Sequence, residues 1–142
     1  MKLLIVNGPN LNLLGKREPE IYGNESFDAC LLRLREMFQV VEFSYFQSNV
    51  EGELINALHG AMNQCDGIII NPGGYSHTSV ALADAIASIH LPVIEVHLSN
   101  LYKREEFRHI SLTARNCIGV ISGFGLLSYQ LAVEAMLTRL AK

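Results

Sequence analysis

Residues 67–74 read Gly-Ile-Ile-Ile-Asn-Pro-Gly-Gly, and this stretch decides the fold. Its unbroken apolar run is typical of a strand that is buried on both faces. The run stops at Asn71, and Pro72-Gly73-Gly74 forms a turn sequence. A strand covered on both sides belongs to a parallel sheet with helices on each face, so the segment predicts an α/β fold.

Other apolar runs along the chain have the same character. Together with the first they predict strands at residues 3–6, 40–46, 67–70, 93–96 and 118–121. Between them, apolar residues at helical spacing predict helices at about 27–38, 50–62, 79–88 and 126–140. This alternation predicts one parallel sheet in a single domain, residues 1–142. The last helix is apolar on many sides, so we expect it to pack on more than the sheet.

The composition excludes several classes of protein. With 49% hydrophobic and 18% charged residues the chain is not disordered, and a net charge of -3 gives no basic surface for nucleic acid. The cysteines, Cys30, Cys65 and Cys117, are far apart, which argues against a disulfide framework or a metal site. No apolar stretch approaches the roughly 18 residues of a membrane span. We therefore expect a cytoplasmic protein without membrane or nucleic-acid partners.

Two connections are longer than an α/β fold requires. Residues 8–25 and 99–116 each follow a predicted strand, where such loops usually span about 2–6 residues. Both leave from the carboxyl ends of strands, where open α/β sheets bind their ligands. We expect residues 8–25 to form a lid over an active site.

Polar clusters lie at these strand ends. Residues 7–12 read Asn-Gly-Pro-Asn-Leu-Asn, with Arg17 and Tyr22 further along the same loop, and residues 71–79 read Asn-Pro-Gly-Gly-Tyr-Ser-His-Thr-Ser. Turn formation, and helix capping by Ser76 or Thr78, are the simplest interpretations. The alternative is a binding site, since both clusters meet at one sheet edge.

A third cluster, residues 95–100, contains Glu95 and His97, which face the same side of a strand. A carboxylate beside an imidazole fixes which ring nitrogen carries the proton, so this pair is a candidate for acid–base chemistry. Arg104 and Arg108 are four residues apart on one face of a predicted helical turn. They are either solvated or form a clamp for an anion or hydroxyl group.

Other chemistries find no support. No lysine lies within or at the carboxyl end of a predicted strand, which disfavours Schiff-base catalysis. No nucleophile elbow, Walker loop or His-Glu-x-x-His sequence occurs.

Taken together and in order, these motifs resemble type II 3-dehydroquinate dehydratases over essentially the whole chain. The resemblance implies a flavodoxin-like doubly wound sheet of strand order 2-1-3-4-5. It also implies cofactor-free dehydration of 3-dehydroquinate to 3-dehydroshikimate, in the shikimate pathway or in quinate catabolism. The implied assembly is a homododecamer built as a tetramer of trimers.

The resemblance also assigns roles to individual residues. Tyr22 resembles the general base that takes the C2 proton, and Arg17 the cation that stabilises its phenolate. Asn10 resembles the residue that positions a water at the enolate. His97 resembles the general acid for the departing C1 hydroxyl, and Glu95 orients it.

The implied substrate-binding residues are Asn71, His77, Leu98, Ser99, Arg104 and Arg108, together with Asp84, which reaches a neighbouring subunit's site. The sequence departs from the family pattern at Gly74, Ser76 and Ala83, where Ala, Thr and Arg are common. The first two exchanges are small, whereas Ala83 removes a charge beside Asp84 and puts an intersubunit ion pair there in doubt.

Alternatives of another class are a flavodoxin-like flavin binder, a phosphoacceptor receiver or a scaffold without catalysis. A flavin binder would carry a Ser/Thr-rich loop after the first strand, where this chain has Gly8-Pro9-Asn10. A receiver would carry an Asp at the end of the third strand, where this chain has Asn71. Retention of Tyr22, Arg17 and His97 together argues against a scaffold.

Overall fold

The structure, a computed structural model, describes residues 1–16 and 18–142, except for the side chain of Tyr22. The strands are β1 (Lys2–Asn7), β2 (Glu42–Gln47), β3 (Gly67–Asn71), β4 (Val93–His97) and β5 (Gly119–Ser122). The α-helices are α1 (Pro19–Tyr22), α2 (Phe27–Met37), α3 (Glu51–Ala61), α4 (Val80–Ser88) and α5 (Leu127–Leu140). Shorter 3-10 helices lie at Leu11–Leu13, Gly73–His77, Leu101–Lys103, Glu106–His109 and Ala114–Asn116.

The strands form one parallel sheet of five strands in the order β2-β1-β3-β4-β5. The predicted strand order and fold class are therefore confirmed. β1 is an inner strand, with β2 added on one side of it and β3, β4 and β5 added in turn on the other. Because the direction of winding changes between β1 and β3, the connections leave a crevice at the carboxyl ends of these strands. Asn7 and Asn71 are paired in register there.

Two apolar cores cover the two faces of the sheet, because successive strand residues point to opposite sides. Leu3 and Ile5 pack with α2 and α5 on one face. Leu4 and Val6 pack with α3 and α4 on the other. β3 and β4 are buried along their whole length, as the apolar run that predicted the fold requires.

Ser79 caps α4, and its side chain accepts a hydrogen bond from the backbone N–H of Leu82 at 2.8 Å. The expectation that Ser76 or Thr78 would cap this helix was wrong. Ser76 lies inside a 3-10 helix, where its hydroxyl donates to the carbonyl of Gly73 at 2.9 Å. Only Ser79 has the extended backbone immediately before the helix that a cap needs.

The two long connections contain short helices rather than unstructured chain. Residues 8–26 hold the 3-10 helix Leu11–Leu13 and α1, and residues 98–118 hold three further 3-10 helices. Arg104 and Arg108 do not share one helical face as expected, since Arg104 follows Leu101–Lys103 and Arg108 lies in Glu106–His109. In the part of the chain that the structure describes, no helix is both long and apolar enough to cross a membrane.

Candidate active site

A cavity of about 140 Å³ opens at the carboxyl edge of the sheet, beside the crevice between β1 and β3. Four segments meet there: the loop after β1, the turn after β3, the end of β4 and the connection after it. Its lining residues are Pro9, Asn10, Leu11, Leu13, Leu14, Asn71, Gly73, Gly74, His77, His97, Leu98, Ser99, Leu101, Arg104 and Arg108. The polar clusters of three separate sequence segments thus face one space.

Glu95 and His97 form a buried hydrogen-bonded pair beside this cavity. His97 Nε2 lies 2.8 Å from Glu95 Oε2, and the side chains are 6% and 0% exposed. Only His97 reaches the cavity, because Glu95 lies behind it. With Nε2 held by the carboxylate, Nδ1 is the ring nitrogen left for a ligand.

Glu95 accepts two further hydrogen bonds from the chain segment that follows Arg108. Ser111 Oγ donates to Oε2 at 2.7 Å, and Thr113 Oγ1 donates to Oε1. Burial by itself raises the pKa of a carboxyl, but the hydrogen bond and charge of His97, with the two hydroxyls, hold the pKa of Glu95 below its ordinary value. Glu95 is therefore a carboxylate in the folded protein.

His77 stands beside this pair. Its ring is stacked near that of His97, with 6.2 Å between centroids and 24° between planes. Its Nδ1 lies 2.8 Å from the carbonyl oxygen of Ile110, to which it donates when protonated there. Burial, followed by the charges of His97 and Arg108, lowers the pKa of His77 against the opposing effect of that hydrogen bond. His77 is thus a neutral hydrogen-bonding group at pH 7.

Arg104 and Arg108 bring positive charge to the open side of the cavity. Arg104 Nη1 donates to Ser99 Oγ at 3.4 Å. Arg108 Nε donates to Glu105 Oε2 at 2.6 Å, and its guanidinium lies 5.1 Å from the ring centroid of Phe107. The hydrogen bond from Arg108 lowers the pKa of Glu105. Both arginines line the cavity, so the chain concentrates cations there despite its net negative charge.

Asn71 is held from behind by Tyr129 of α5. The buried Tyr129 hydroxyl accepts from Asn71 Nδ2 at 3.2 Å and donates to Asn7 Oδ1 at 2.6 Å. Asn71 Oδ1 accepts from the backbone N–H of Gly73 at 3.1 Å. Burial raises the pKa of Tyr129, so its hydroxyl stays protonated and able to donate. These contacts fix the amide of Asn71 at the cavity wall.

The loop after β1 touches the turn after β3 through backbone atoms. The N–H of Gly8 donates to the carbonyl of Asn71 at 2.8 Å. A Cβ at Gly8 would lie 2.5 Å from the carbonyl oxygen of Pro72, so no larger residue fits there. Asn10 has a left-handed backbone with φ of 70°, and its N–H donates to Asn49 Oδ1 at 2.9 Å.

The structure brings most predicted site residues together. Those that line the cavity are Asn10, Asn71, His77, His97, Leu98, Ser99, Arg104 and Arg108. Asp84 lies on the exposed face of α4 and is not among the lining residues of the described chain. Arg17 and the side chain of Tyr22 lie outside the described residues, so their predicted roles stay predictions.

Sequence reasoning missed two groups of residues around the site. Leu11, Leu13, Leu14 and Leu101 supply apolar lining. Ser111 and Thr113 support Glu95, and Tyr129 supports Asn71. No local pattern marks these supporting residues, because they are 16 to 58 positions away from the groups they bind. Within residues 1–16 and 18–142, no group of three or more His, Cys, Asp or Glu side chains is placed to hold a metal ion.

The chain is similar in sequence and in overall structure to known proteins. Residues 1–137 match the family described as Dehydroquinase class II. The chain is 52% identical over 139 residues to a 3-dehydroquinate dehydratase of Clostridium perfringens, covering 96% of this chain and 95% of that one. It is 53% identical over 144 residues to one of Carboxydothermus hydrogenoformans, covering 100% and 94%. The crystal structure of the type II dehydroquinase from Butyrivibrio crossotus superposes with a TM-score of 0.92 at 47% identity, covering 96% of this chain and 97% of that one. The chain belongs to the class II dehydroquinase family.

Proposed function

We propose that this cavity carries out the family's reaction, the dehydration of 3-dehydroquinate to 3-dehydroshikimate. The observation that carries the proposal is the buried Glu95–His97 pair at the floor of a cavity that also holds Arg104 and Arg108. An acid–base group and a cationic rim in one space suit an anionic hydroxy acid that loses water. Enolate formation next to a ketone requires neither a metal nor a redox cofactor.

His97 is the general acid in this proposal. Glu95 holds Nε2, so the proton on Nδ1 of the protonated ring is the one that passes to the departing C1 hydroxyl. The C–O bond breaks, the hydroxyl leaves as water, and the enolate electrons form the new carbon–carbon double bond. His97 ends neutral with its Nε2–H still bonded to Glu95, which remains ionised throughout.

Tyr22 is the general base, and it removes the proton from C2, next to the C3 ketone. A tyrosine in water is only about one part in a thousand ionised at pH 7, so the reaction needs a cation that stabilises the phenolate. Arg17 is proposed as that cation. Asn10, which lines the cavity, is proposed to position the water that stabilises the enolate.

The remaining lining residues hold the substrate. Asn71 presents an amide fixed by Tyr129 and Gly73, and His77 presents a neutral imidazole. Ser99 and the backbone amides near Leu98 face the substrate carboxylate, and Arg104 and Arg108 supply opposite charge. The hydrogen bonds that hold Asn71 and His77 restrict their side chains, which reduces the entropy lost when they bind a ligand.

We also propose that the protein works as a cytoplasmic homododecamer, a tetramer of trimers, in the shikimate pathway or in quinate catabolism. Asp84 lies exposed on α4, so its carboxylate is accessible to another copy of the chain. In this proposal it reaches the site of a neighbouring subunit. Ala83 beside it is 6% exposed and carries no charge, so Asp84 acts without an adjacent arginine.

The direct test is to mix the purified protein with 3-dehydroquinate and follow the enone absorbance of the product in the ultraviolet. We expect turnover by the unaltered chain, and loss by orders of magnitude in His97→Ala, Tyr22→Phe and Arg17→Ala while substrate still binds. His59→Asn, which changes an exposed histidine of α3, is the control and should keep full turnover. If the enone absorbance does not rise at catalytic protein concentration, or if Tyr22→Phe keeps near-normal turnover, the proposal is overturned.

A further inference from the structure

Residues 110–114, which we call the strap, form a segment behind the Glu95–His97 pair. It returns from the arginine-bearing connection and crosses the carboxyl edge of the sheet. Its backbone is tied to the turn after β3 by Leu112 N–H, which donates to Ser76 O at 2.7 Å, and by Ile110 O, which lies 2.8 Å from His77 Nδ1. The backbone of the strap is therefore fixed against the turn that carries His77.

The strap places two hydroxyl groups on a carboxylate that no solvent reaches. Glu95 is 0% exposed and Thr113 is 0% exposed. Thr113 Oγ1 donates to Oε1, while Ser111 Oγ donates to Oε2, the same oxygen that His97 contacts. Each carboxylate oxygen thus accepts a hydrogen bond from one strap hydroxyl. Oε2 also contacts the ring of His97.

The direction of the Ser111 hydroxyl is set by a second contact. Its oxygen accepts a hydrogen bond from the backbone N–H of Ala114 at 3.1 Å, which occupies a lone pair and leaves the hydroxyl hydrogen for Glu95. The two hydroxyls also lie 3.2 Å apart, so they form one donor group. Such a set of donors matches an ionised carboxylate and has little to offer a neutral carboxylic acid.

We propose that Ser111 and Thr113 are positioning residues for the dehydration, which keep the Glu95–His97 proton on the imidazole. The effect of these residues on turnover rests on the proposed function. The position of the proton does not, because it is a property of the resting protein. A buried carboxylate next to an imidazolium can neutralise itself by taking the proton, and the two strap donors oppose that transfer. His97 then enters the reaction with the proton that it must deliver.

Other titratable and charged groups face the pair, and a test must leave their charge unchanged. Among the described residues these are His77 from the turn after β3, Arg104 and Arg108 from the connection after β4, and Cys117. Burial and the charge of Glu95 raise the pKa of Cys117 to about 12, so this thiol does not ionise in the neutral range. Substitution of Ser111 or Thr113 alters none of these groups.

The variants are Thr113→Val, which keeps the shape of the side chain but removes the hydroxyl, and Ser111→Ala. Thr113→Ser restores a hydroxyl and serves as the matched control. The first measurement is the pH dependence of the ¹⁵N resonances of His97 in the full-length protein with labelled histidine, assigned by their loss in His97→Gln. At the acid end of the titration, we expect the ¹⁵N resonances of His97 to move from imidazolium values toward those of a neutral ring in Thr113→Val, to a smaller extent in Ser111→Ala, and to return toward the original values in Thr113→Ser.

The second measurement is kcat and KM for 3-dehydroquinate across pH. In Thr113→Val we expect kcat to be about tenfold lower at pH 6, where the pair is protonated but holds the proton partly on Glu95, and within about threefold at pH 8, with KM little changed. A uniform loss at all pH values would indicate a merely structural role and overturn the proposal. So would ¹⁵N resonances of His97 that keep their imidazolium values in both folded variants. If the unaltered protein shows no dehydratase activity, the proposed function fails, whereas the ¹⁵N titration still decides the strap proposal.

Discussion

At the scale of single residues, the site depends on groups whose surroundings set their charge. Glu95 is the clearest case, since a fully buried carboxylate is kept ionised by donors from β4 and from the strap. Because its pKa in the fold is below the usual 4.5, the ionised carboxylate stabilises the folded state above about pH 4.5. This stabilisation is lost as the pH falls through the lower pKa of the folded protein.

We therefore expect Glu95→Gln to have a smaller free energy of unfolding than the unaltered chain at pH 7, and a weaker decline of that free energy between pH 6 and pH 3. Urea denaturation at a series of pH values measures both. Glu42→Gln is the control, since the Glu42 side chain is 69% exposed, and it should follow the unaltered chain. Parallel declines for all three proteins would contradict the inferred charge state of Glu95.

Gly8 is a residue whose side chain is excluded by the close approach of two loops. A Cβ there would meet backbone atoms of Pro72, at 2.5 Å from the oxygen and 2.8 Å from the carbon, and backbone cannot rotate away as a side-chain end can. We expect Gly8→Ala to reduce the free energy of unfolding by about 1–3 kcal/mol in urea denaturation.

Gly52 provides the matched control for this prediction. It lies in α3, and a Cβ there would have no atom within 4 Å. Gly52→Ala should stabilise the protein by about 0.5–1 kcal/mol, because alanine restricts the unfolded chain and favours the helix. Equal effects of the two substitutions would refute the steric argument.

At the scale of secondary-structure elements, α5 supports the site through Tyr129. Its Tyr129 packs edge-on against Phe27 of α2, with ring centroids 4.9 Å apart, and its hydroxyl reaches the ends of β1 and β3. The helix thereby aligns two neighbouring strands at the crevice. Loss of that hydroxyl leaves two buried asparagine amides without one of their partners.

We expect Tyr129→Phe to lower the free energy of unfolding by about 1–3 kcal/mol, the cost of unpaired buried amides. We also expect a higher KM for 3-dehydroquinate, because Asn71 loses its fixed orientation. Tyr102→Phe is the control, since Tyr102 is 76% exposed, and both quantities should stay unchanged. An unaltered stability in Tyr129→Phe would show that water or a shifted side chain replaces the hydroxyl.

At the scale of the whole molecule, a single copy of the chain leaves several large apolar side chains exposed. Among the described residues, those more than 60% exposed are Val40, Val80, Tyr102, Phe107, Ile110 and Phe124. Val80 lies in the same helix as Asp84, which suits contact between copies on this side. The assembly proposed above gives these surfaces a partner.

A mixing experiment tests whether a neighbouring copy completes the site. We expect light scattering to give the mass of twelve chains, and Asp84→Ala and His97→Ala each to have low turnover alone. Co-assembled in equal amounts, they should regain activity at up to about a quarter of the sites, where an intact His97 meets the neighbour's intact Asp84. If the mixed oligomers show no gain in turnover, Asp84 acts within its own chain or has no part in the reaction.

Local patterns in the sequence were sufficient for the main elements of the fold. The apolar runs predicted all the strands to within two residues, and the strand order implied by the resemblance is the one observed. The cap of α4 and the 3-10 helices around Arg104 and Arg108 were not predicted, because short turns depend on contacts that the local pattern does not contain. The contacts of the strap with Glu95 were not predicted for the same reason.

The sequence by itself determined the parallel sheet, the polar strand ends and the Glu95–His97 pair, because periodicity and spacing of two residues act locally. Three features of the site depend on the folded chain: Glu95 is fully buried, Ser111 and Thr113 donate to it, and Tyr129 anchors Asn71. The physical reason is that charge state and side-chain orientation depend on burial and on donors brought from distant segments. Those donors come together only when the chain folds.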